Sequence, residues 1–279
     1  MRRIKAADYA DGRGIIRFRL GEYGSAPVCG MTTRVNGSMR FRLNEQNPLR
    51  DSVLAEICGG FSRGDSAVPV PAAVELVHSR TVFAADDAAE LSGKKGDGII
   101  TVNRMIVPVV TVADCMPVWL HDPVSGVFGV VHSGWKGTGI AADAISAAAA
   151  RYGARPENFH AALGPHIRDC CYIVDSVRAG YFIRNFSAAC ASPLEPGGEC
   201  LCGGRGLPSR WNSGDGRLYR LSLEKANLAL LLSAGVRDEN ITVCTDCTCC
   251  DTMFGSNRRE TAETGMFTVQ AAFICGNLL

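Results

Sequence analysis

No stretch of this chain reaches the roughly 18 consecutive apolar residues that a membrane-spanning helix needs, so no membrane partner is expected. Charge of one sign is equally scarce. Lys and Arg total 29 against 28 Asp and Glu, a formal net charge of +1, and such a balance creates no global field to recruit nucleic acid or an anionic membrane. The basic start MRRIKAADYADGRG has no apolar segment behind it. We therefore expect no secretory signal and a cytoplasmic protein. Internal repeats and heptads are missing, which excludes solenoids and coiled coils. Also absent are the local signatures H-E-x-x-H, two separate C-x-x-C motifs and the Walker loop G-x-x-x-x-G-K-[ST], so any metal or anion site has to be assembled from distant residues.

What is present suits a folded enzyme-sized unit. The 279 residues are 47% hydrophobic, enough for a sizeable core, and we expect one domain over residues 1–279. Thirteen cysteines in a large chain without an export signal read as reduced thiols rather than a disulfide framework.

Short β-branched runs separated by turns predict strands at Val28–Arg34, Ala72–His78, Ile99–Val102, Val107–Val112, Pro117–His121, Val127–His132, Ile241–Cys244 and Phe267–Cys275. The middle four read as one sheet. Helices are predicted after Asp51 as cap, over Gly137–Tyr152 with Thr138 as cap and Gly153 as stop, over Asp175–Ala188, and over Ser222–Ala234 before Gly235. The Gly- and Pro-rich stretch 193–216 reads as a long internal loop. Strands and helices mixed without strict alternation predict an α/β or α+β sandwich.

The segment Ala113–Gly139, ADCMPVWLHDPVSGVFGVVHSGWKGTG, carries the densest chemistry. It places Asp114 beside Cys115, then runs an apolar strand into His132 and a glycine-rich turn. With His78 it offers two imidazoles and a thiolate, a set that suits zinc and leaves a fourth position open; copper is permitted by the same donors. Taken singly, His78 also fits a satisfied core histidine, Cys115 a small buried hydrophobe and His132 a strand cap. Neighbouring residues on a strand face opposite ways, so Asp114 is expected to support the site from a loop rather than to be a fourth ligand. The turn Ser133-Gly134-Trp135-Lys136-Gly137 could hold an anion at a helix start, with Lys136 adding charge, or could simply be a tight connection. Arg34 and the pair Arg258-Arg259 are candidate anion forks. The run Cys244-Thr-Asp-Cys247-Thr-Cys249-Cys250 contains a C-x-x-C without an obvious second half, since Cys200 and Cys202 are wrongly spaced. It reads as a cysteine-rich closing loop, with metal or redox roles left open.

From about Met31 to Ile274 the chain resembles a known family, the laccase-like multicopper polyphenol oxidases whose members include purine nucleoside phosphorylases. TVADCMPVWL and VVHSGWKGT resemble the family's A-D-C-x-P and H-A-G-W-R-G blocks. VELVHSRTV, GDGIIT and ALGPHIRDCCYIV resemble its Q-V-H-G-x-x-V, A-D-A-L-V-T and G-P-x-I-x-x-C-C-Y-E-V blocks, and MTTRVNG…RLNEQNP its T-x-R-x-G-G block and later L-N, which falls on Asn44. The resemblance implies a layered α/β-β/α sandwich, a metal site at His78, Cys115 and His132, and cleavage of purine nucleosides by phosphate to free base and ribose 1-phosphate. Adenosine deamination is also attributed to the family. The candidate catalytic residues are then Cys115 and Asp114, and the candidate substrate and phosphate contacts Arg34, Asn44, Lys136 and Arg258. Leu76, Ser79 and Asn257 depart from the family pattern. Rival readings are a copper polyphenol oxidase, a cysteine hydrolase with Cys115 activated by His132, and a metal- or nucleotide-binding domain without turnover.

Overall fold

In the computed structural model, which describes residues 1–21, 26–62, 67–195 and 216–276, two sheets lie face to face. The larger has seven strands in the order Arg2–Ile4, Ile241–Cys244, His160–Leu163, Met116–His121, Phe128–Ser133, Gly98–Thr101 and Val82–Ala84. The second has five, ordered Ile15–Arg19, Val28–Thr32, Gln270–Cys275, Ile106–Val112 and Val70–Ala73. Ile173–Asp175, Leu218–Leu221 and Ala191–Pro193 form a small third sheet.

Strand alternation assigns each face to a layer. Val110, Val112, Ala272 and Ile274 pack between the sheets against Trp119, Phe128 and Val130. Their neighbours Val107, Val109, Ala271 and Phe273 face the other way, onto Leu54 and Ile57 of the helix Pro48–Gly59. On the far side, Met116, Val118, Leu120 and Val131 meet the helices Ile140–Tyr152 and Leu223–Ser233. The result is the expected α/β-β/α sandwich. Trp119 is fully buried and ties the layers together, because its indole N–H donates to the Phe273 carbonyl of the opposite sheet at 2.8 Å. A buried indole without such a partner would be costly.

Several local expectations change. Ile106–Val112 leaves the other three predicted strands and joins the second sheet, pairing with Gln270–Cys275. Its two apolar faces fit a position sandwiched between the seven-stranded sheet and a helix. Asn47, not Asp51, caps the first helix: its side-chain oxygen accepts from Arg50 N–H at 3.1 Å, and Pro48 follows at the first helical position. Thr138 does not cap Ile140–Tyr152; its hydroxyl donates to the Gly134 carbonyl at 2.9 Å. The predicted strand through His78 stops at Ala73, and His78 lies in a turn with φ 58°. Of the predicted loop 193–216, only the ends are described, and Pro193 belongs to a strand; residues 196–215, with Cys200 and Cys202, lie outside the described residues. The eleven cysteines among the described residues are free thiols.

Candidate metal centre

The sheet register assembles the centre. Met116–His121 runs antiparallel to Phe128–Ser133 with Pro117 opposite His132, so the residues before Met116 emerge beside His132. Gly98 pairs with Val131 on the other side, and His132 N–H donates to the Asp97 carbonyl at 2.7 Å. Three strand ends therefore converge, bringing Asp97, Cys115 and His132 together from separate segments.

Asp97 organises this group. Its carboxylate is fully buried and accepts from His132 Nδ1 at 3.0 Å, from His78 N–H at 2.9 Å, and from Ser79 N–H and hydroxyl at 2.6 and 2.7 Å. The pull of one carboxylate on two successive amides folds the 78–79 turn and explains the left-handed backbone of His78. The same carboxylate orients His132, leaving Nε2 as the ring nitrogen available to a ligand. Burial would raise the Asp97 carboxyl, but the bonds from His132 and Ser79 outweigh it and hold it below the usual range.

The ligand atoms of His78, Cys115 and His132 lie within 4.8 Å of one another, and the two rings meet edge to face with centroids 5.0 Å apart. Burial pushes the Cys115 thiol up, yet the His132 charge and hydrogen bonds from both imidazoles win and bring it down to about 6. Burial pulls His132 down, but Cys115 and Asp97 together raise it to about 9. The protein thus stabilises a thiolate beside a cation, the charge pattern a metal ion would satisfy in place of the proton.

Gly134 supplies an independent test of fit. A Cβ built there would stand 2.9 Å from Cys115 Sγ, 3.6 Å from the His132 ring and 3.7 Å from the His78 ring. A Cβ at Gly137 would come within 2.7 Å of the Ser79 carbonyl. The glycines of the Ser133–Gly137 turn therefore keep the space around His78, Cys115 and His132 clear. With soft sulfur, two imidazoles and a carboxylate behind one of them, the residues suit a transition-series metal.

The centre opens on a cavity of about 1000 Å³. Of the sequence candidates, Asp114, Cys115, His78, His132 and Arg258 line it; Arg34, Asn44 and Lys136 do not. Lys136 folds its amine over the Trp135 ring, 5.4 Å from the centroid. Arg34 pairs with Glu260 at 3.3 Å, and Asn44 is exposed in a turn. Asp114 does not turn toward the ligands. Its oxygens accept from Thr248 Oγ1 at 2.7 Å and Arg258 N–H at 2.6 Å, which brace the loop carrying Cys115. Burial raises its carboxyl despite those bonds. Sequence reasoning missed Asp97, although its charge just ahead of the apolar run Gly98–Thr101 was a signal. It also missed Arg40, Arg42 and Arg178, which line the cavity with Trp135, Tyr172 and Phe41; no local pattern distinguishes them from surface arginines.

The chain is similar to several known proteins. The chain is 33% identical over 172 residues to purine nucleoside phosphorylase YlmD of Geobacillus stearothermophilus, covering 61% of this chain and 57% of that protein. It is 31% identical over 220 residues to a purine nucleoside phosphorylase of Deinococcus radiodurans, covering 73% and 77%. A protein named adenosine deaminase RL5, from an unknown prokaryotic organism, is 31% identical over 182 residues, with 64% and 63% covered. In sequence, the chain spans 57% and 56% of the length of the two YlmD proteins it matches, from Geobacillus stearothermophilus and Bacillus subtilis. The crystal structure of YlmD from Geobacillus stearothermophilus superposes with a TM-score of 0.74 at 25% identity, covering 96% and 97%. A family model described as multi-copper polyphenol oxidoreductase laccase matches residues 65–275, a span that holds His78, Cys115, His132, Asp97 and Gly134, and the chain belongs to that family.

Proposed function

We propose that this protein is a zinc-dependent purine nucleoside phosphorylase. It would cleave adenosine, inosine, guanosine or methylthioadenosine with phosphate, and deaminate adenosine at the same centre. The observation that carries the reading is the composition of one cavity: the His78–Cys115–His132 group, four arginines and several aromatic faces line the same space. The names of the Geobacillus, Deinococcus and RL5 relatives support the reaction class.

Zinc held by His78, Cys115 and His132 would supply Lewis-acid polarisation and a fourth position for a reactant. The chain's own groups do the rest. Trp135, half-buried, already carries the Arg178 guanidinium 4.5 Å above its ring, so aromatic and cationic surfaces are stacked where a base and an anion would meet. Arg258 lies 5.7 Å from the Tyr172 ring centroid and is anchored by the Cys171 and Ile173 carbonyls at 3.4 and 3.2 Å. A guanidinium fixed this way stabilises developing negative charge with little reorganisation. Arg40 and Arg42 stand at the exposed rim and favour phosphate entry. Asp114 acts as a positioning residue through Arg258 and Thr248, and Cys115 serves as ligand rather than nucleophile.

The test is direct. Zinc-loaded protein is incubated with adenosine, with and without phosphate, and the products are separated. Adenine formed only with phosphate is the expected result, with hypoxanthine or inosine reporting deamination. Absence of all three products rejects the proposal, and oxygen uptake with a phenol by copper-loaded protein would favour the oxidase instead.

A further inference from the structure

A second group of soft donors meets away from the His78 centre. Cys170 and Cys171 follow the strand His160–Leu163, and Cys247 and Cys250 follow Ile241–Cys244, its parallel neighbour. The four sulfurs lie within 4.8 Å of one another. Cys170 is 3.6 Å from both Cys171 and Cys250, and Cys171 is 3.2 Å from Cys250. Sulfurs at the corners of a tetrahedron around zinc, each ~2.3 Å from the ion, stand ~3.8 Å apart. A disulfide needs ~2.05 Å. The observed spacing is close to the first geometry and far from the second.

Neutral thiols gain little from one another, because S–H is a weak donor. Convergence of four therefore calls for something that binds them all. The surroundings fit a bound ion. One zinc with four thiolates carries a net charge of −2, and the two loops are clasped by guanidinium groups. Arg220 donates to the Cys170 carbonyl at 3.1 Å and Arg258 to the Cys171 carbonyl at 3.4 Å. Arg259 donates to the carbonyls of Thr248, Cys249 and Asp251 at 2.8, 2.9 and 3.2 Å. Arg168 reaches the Cys244 carbonyl at 3.3 Å, and its backbone N–H donates to Cys247 Sγ at 3.4 Å. An amide pointed at a sulfur is the support that metal thiolates use. Cys171 and Cys247 are buried while Cys250 is exposed, which leaves an entry path.

We propose that Cys170, Cys171, Cys247 and Cys250 form a closed four-thiolate zinc site. The four thiols lose their protons to solvent as the ion binds, and no oxidation occurs. With all positions taken by protein, the site is structural. It would lock the 168–172 loop to the 247–251 loop, beside the bond from Thr248 N–H to the His166 carbonyl at 3.1 Å. Through Thr248 and Arg258 it would hold Asp114, and so the loop that carries Cys115. The proposal stands whether or not the His78 centre cleaves nucleosides.

The test counts metal in full-length protein purified anaerobically under reducing conditions. Elemental analysis should find about two zinc equivalents per chain, and about one in His78→Ala/His132→Ala. Adding Cys247→Ser/Cys250→Ser should remove that last equivalent. If this variant fails to fold, cobalt exchanged into His78→Ala/His132→Ala decides the matter, because its cysteine loops are intact. Intense thiolate-to-cobalt charge transfer with tetrahedral visible bands is expected. A His78→Ala/His132→Ala protein that holds no zinc and gives no such spectrum overturns the proposal. So does a disulfide among the four cysteines in the anaerobic preparation.

Discussion

The His78–Cys115–His132 group and the Cys170–Cys171–Cys247–Cys250 group gather ligand atoms within the same 4.8 Å, yet they are built for different ends. The first mixes imidazole with sulfur, faces a cavity of about 1000 Å³, and is kept roomy by a glycine whose Cβ would press on the sulfur. The second uses sulfur alone, and arginines tie its loops down through backbone carbonyls. An incomplete set beside a cavity leaves a position for a reactant, whereas a complete set leaves none. The contrast extends to support. A single buried carboxylate, Asp97, orients the open group, and four guanidiniums surround the closed one.

Removing a ligand from the open group should have the largest effect. Losing an outer partner of a metal ligand costs about 10–100-fold, so Cys115→Ser should lower nucleoside cleavage by more than ~100-fold and release the centre's metal. Product formation and metal content check it together; retained activity without that metal would break the comparison. Asp97→Asn comes next. It keeps the shape but loses the charge behind His132 and one acceptor of the 78–79 turn. Metal affinity at the centre should fall ~10–100-fold in chelator competition, with the cysteine group untouched. Gly134→Ala should follow. Overpacking against a fixed neighbour costs about 1–3 kcal/mol, so binding should weaken by roughly tenfold, and an unchanged affinity would mean the turn moves freely.

Cys250→Ser sharpens the other side of the contrast. A closed site contributes to folding rather than to turnover. The variant should melt lower by roughly 5 °C or more in calorimetry while the open centre keeps its metal. A melting point that stays in place with a quarter of the ligand set gone would make the cysteine group an ordinary packing feature.

The layers were legible in the sequence because alternation is a local signal: Val107 and Val109 against Val110 and Val112 state two buried faces outright. The Ser222 boundary was legible, its hydroxyl accepting from Lys225 N–H, whereas the side-chain cap Asn47 was passed over for the neighbouring Asp51. The assignment of Ile106–Val112 to the second sheet was not, since nothing within a strand names its partner. His78, Cys115 and His132 stand apart in the chain; their donor chemistry made them candidates and the family resemblance singled them out, because no local spacing joins them. Asp97 lies between two glycines, and nothing in that local setting marks it as a partner of His132. Lys136 and Arg34 had the right charge, but tertiary neighbours, the Trp135 ring and Glu260, set where their side chains go. The C-x-x-C at Cys247 was visible, whereas its partner is an adjacent Cys-Cys pair on another loop, a half that no ribbon motif anticipates.

The gentlest probe changes no residue and compares thiols by their reactivity in metal-free protein. Cys115 is brought down to about 6 by two imidazoles, whereas Cys58, buried without a cation, is pushed up to about 12. Thiolate is the form that reacts with iodoacetamide. Above pH 6 Cys115 is therefore mostly thiolate and its labelling rate is flat. Below that it should fall about tenfold per pH unit as the proton returns. An ordinary thiol would still be gaining rate between pH 6 and 8. Mass spectrometry of the Cys115 peptide across pH 4.5–8.5 should give a midpoint near 6, moving toward the ordinary thiol range in His132→Ala because the cation that stabilises the thiolate is gone. Zinc should abolish labelling of Cys115 across the upper part of that range, since a sulfur held by metal is no longer a free nucleophile. A midpoint above 8 in the native chain would mean that the imidazoles do not hold the sulfur as an anion, and the open centre would lose the charge pattern that distinguishes it from a buried cysteine such as Cys58.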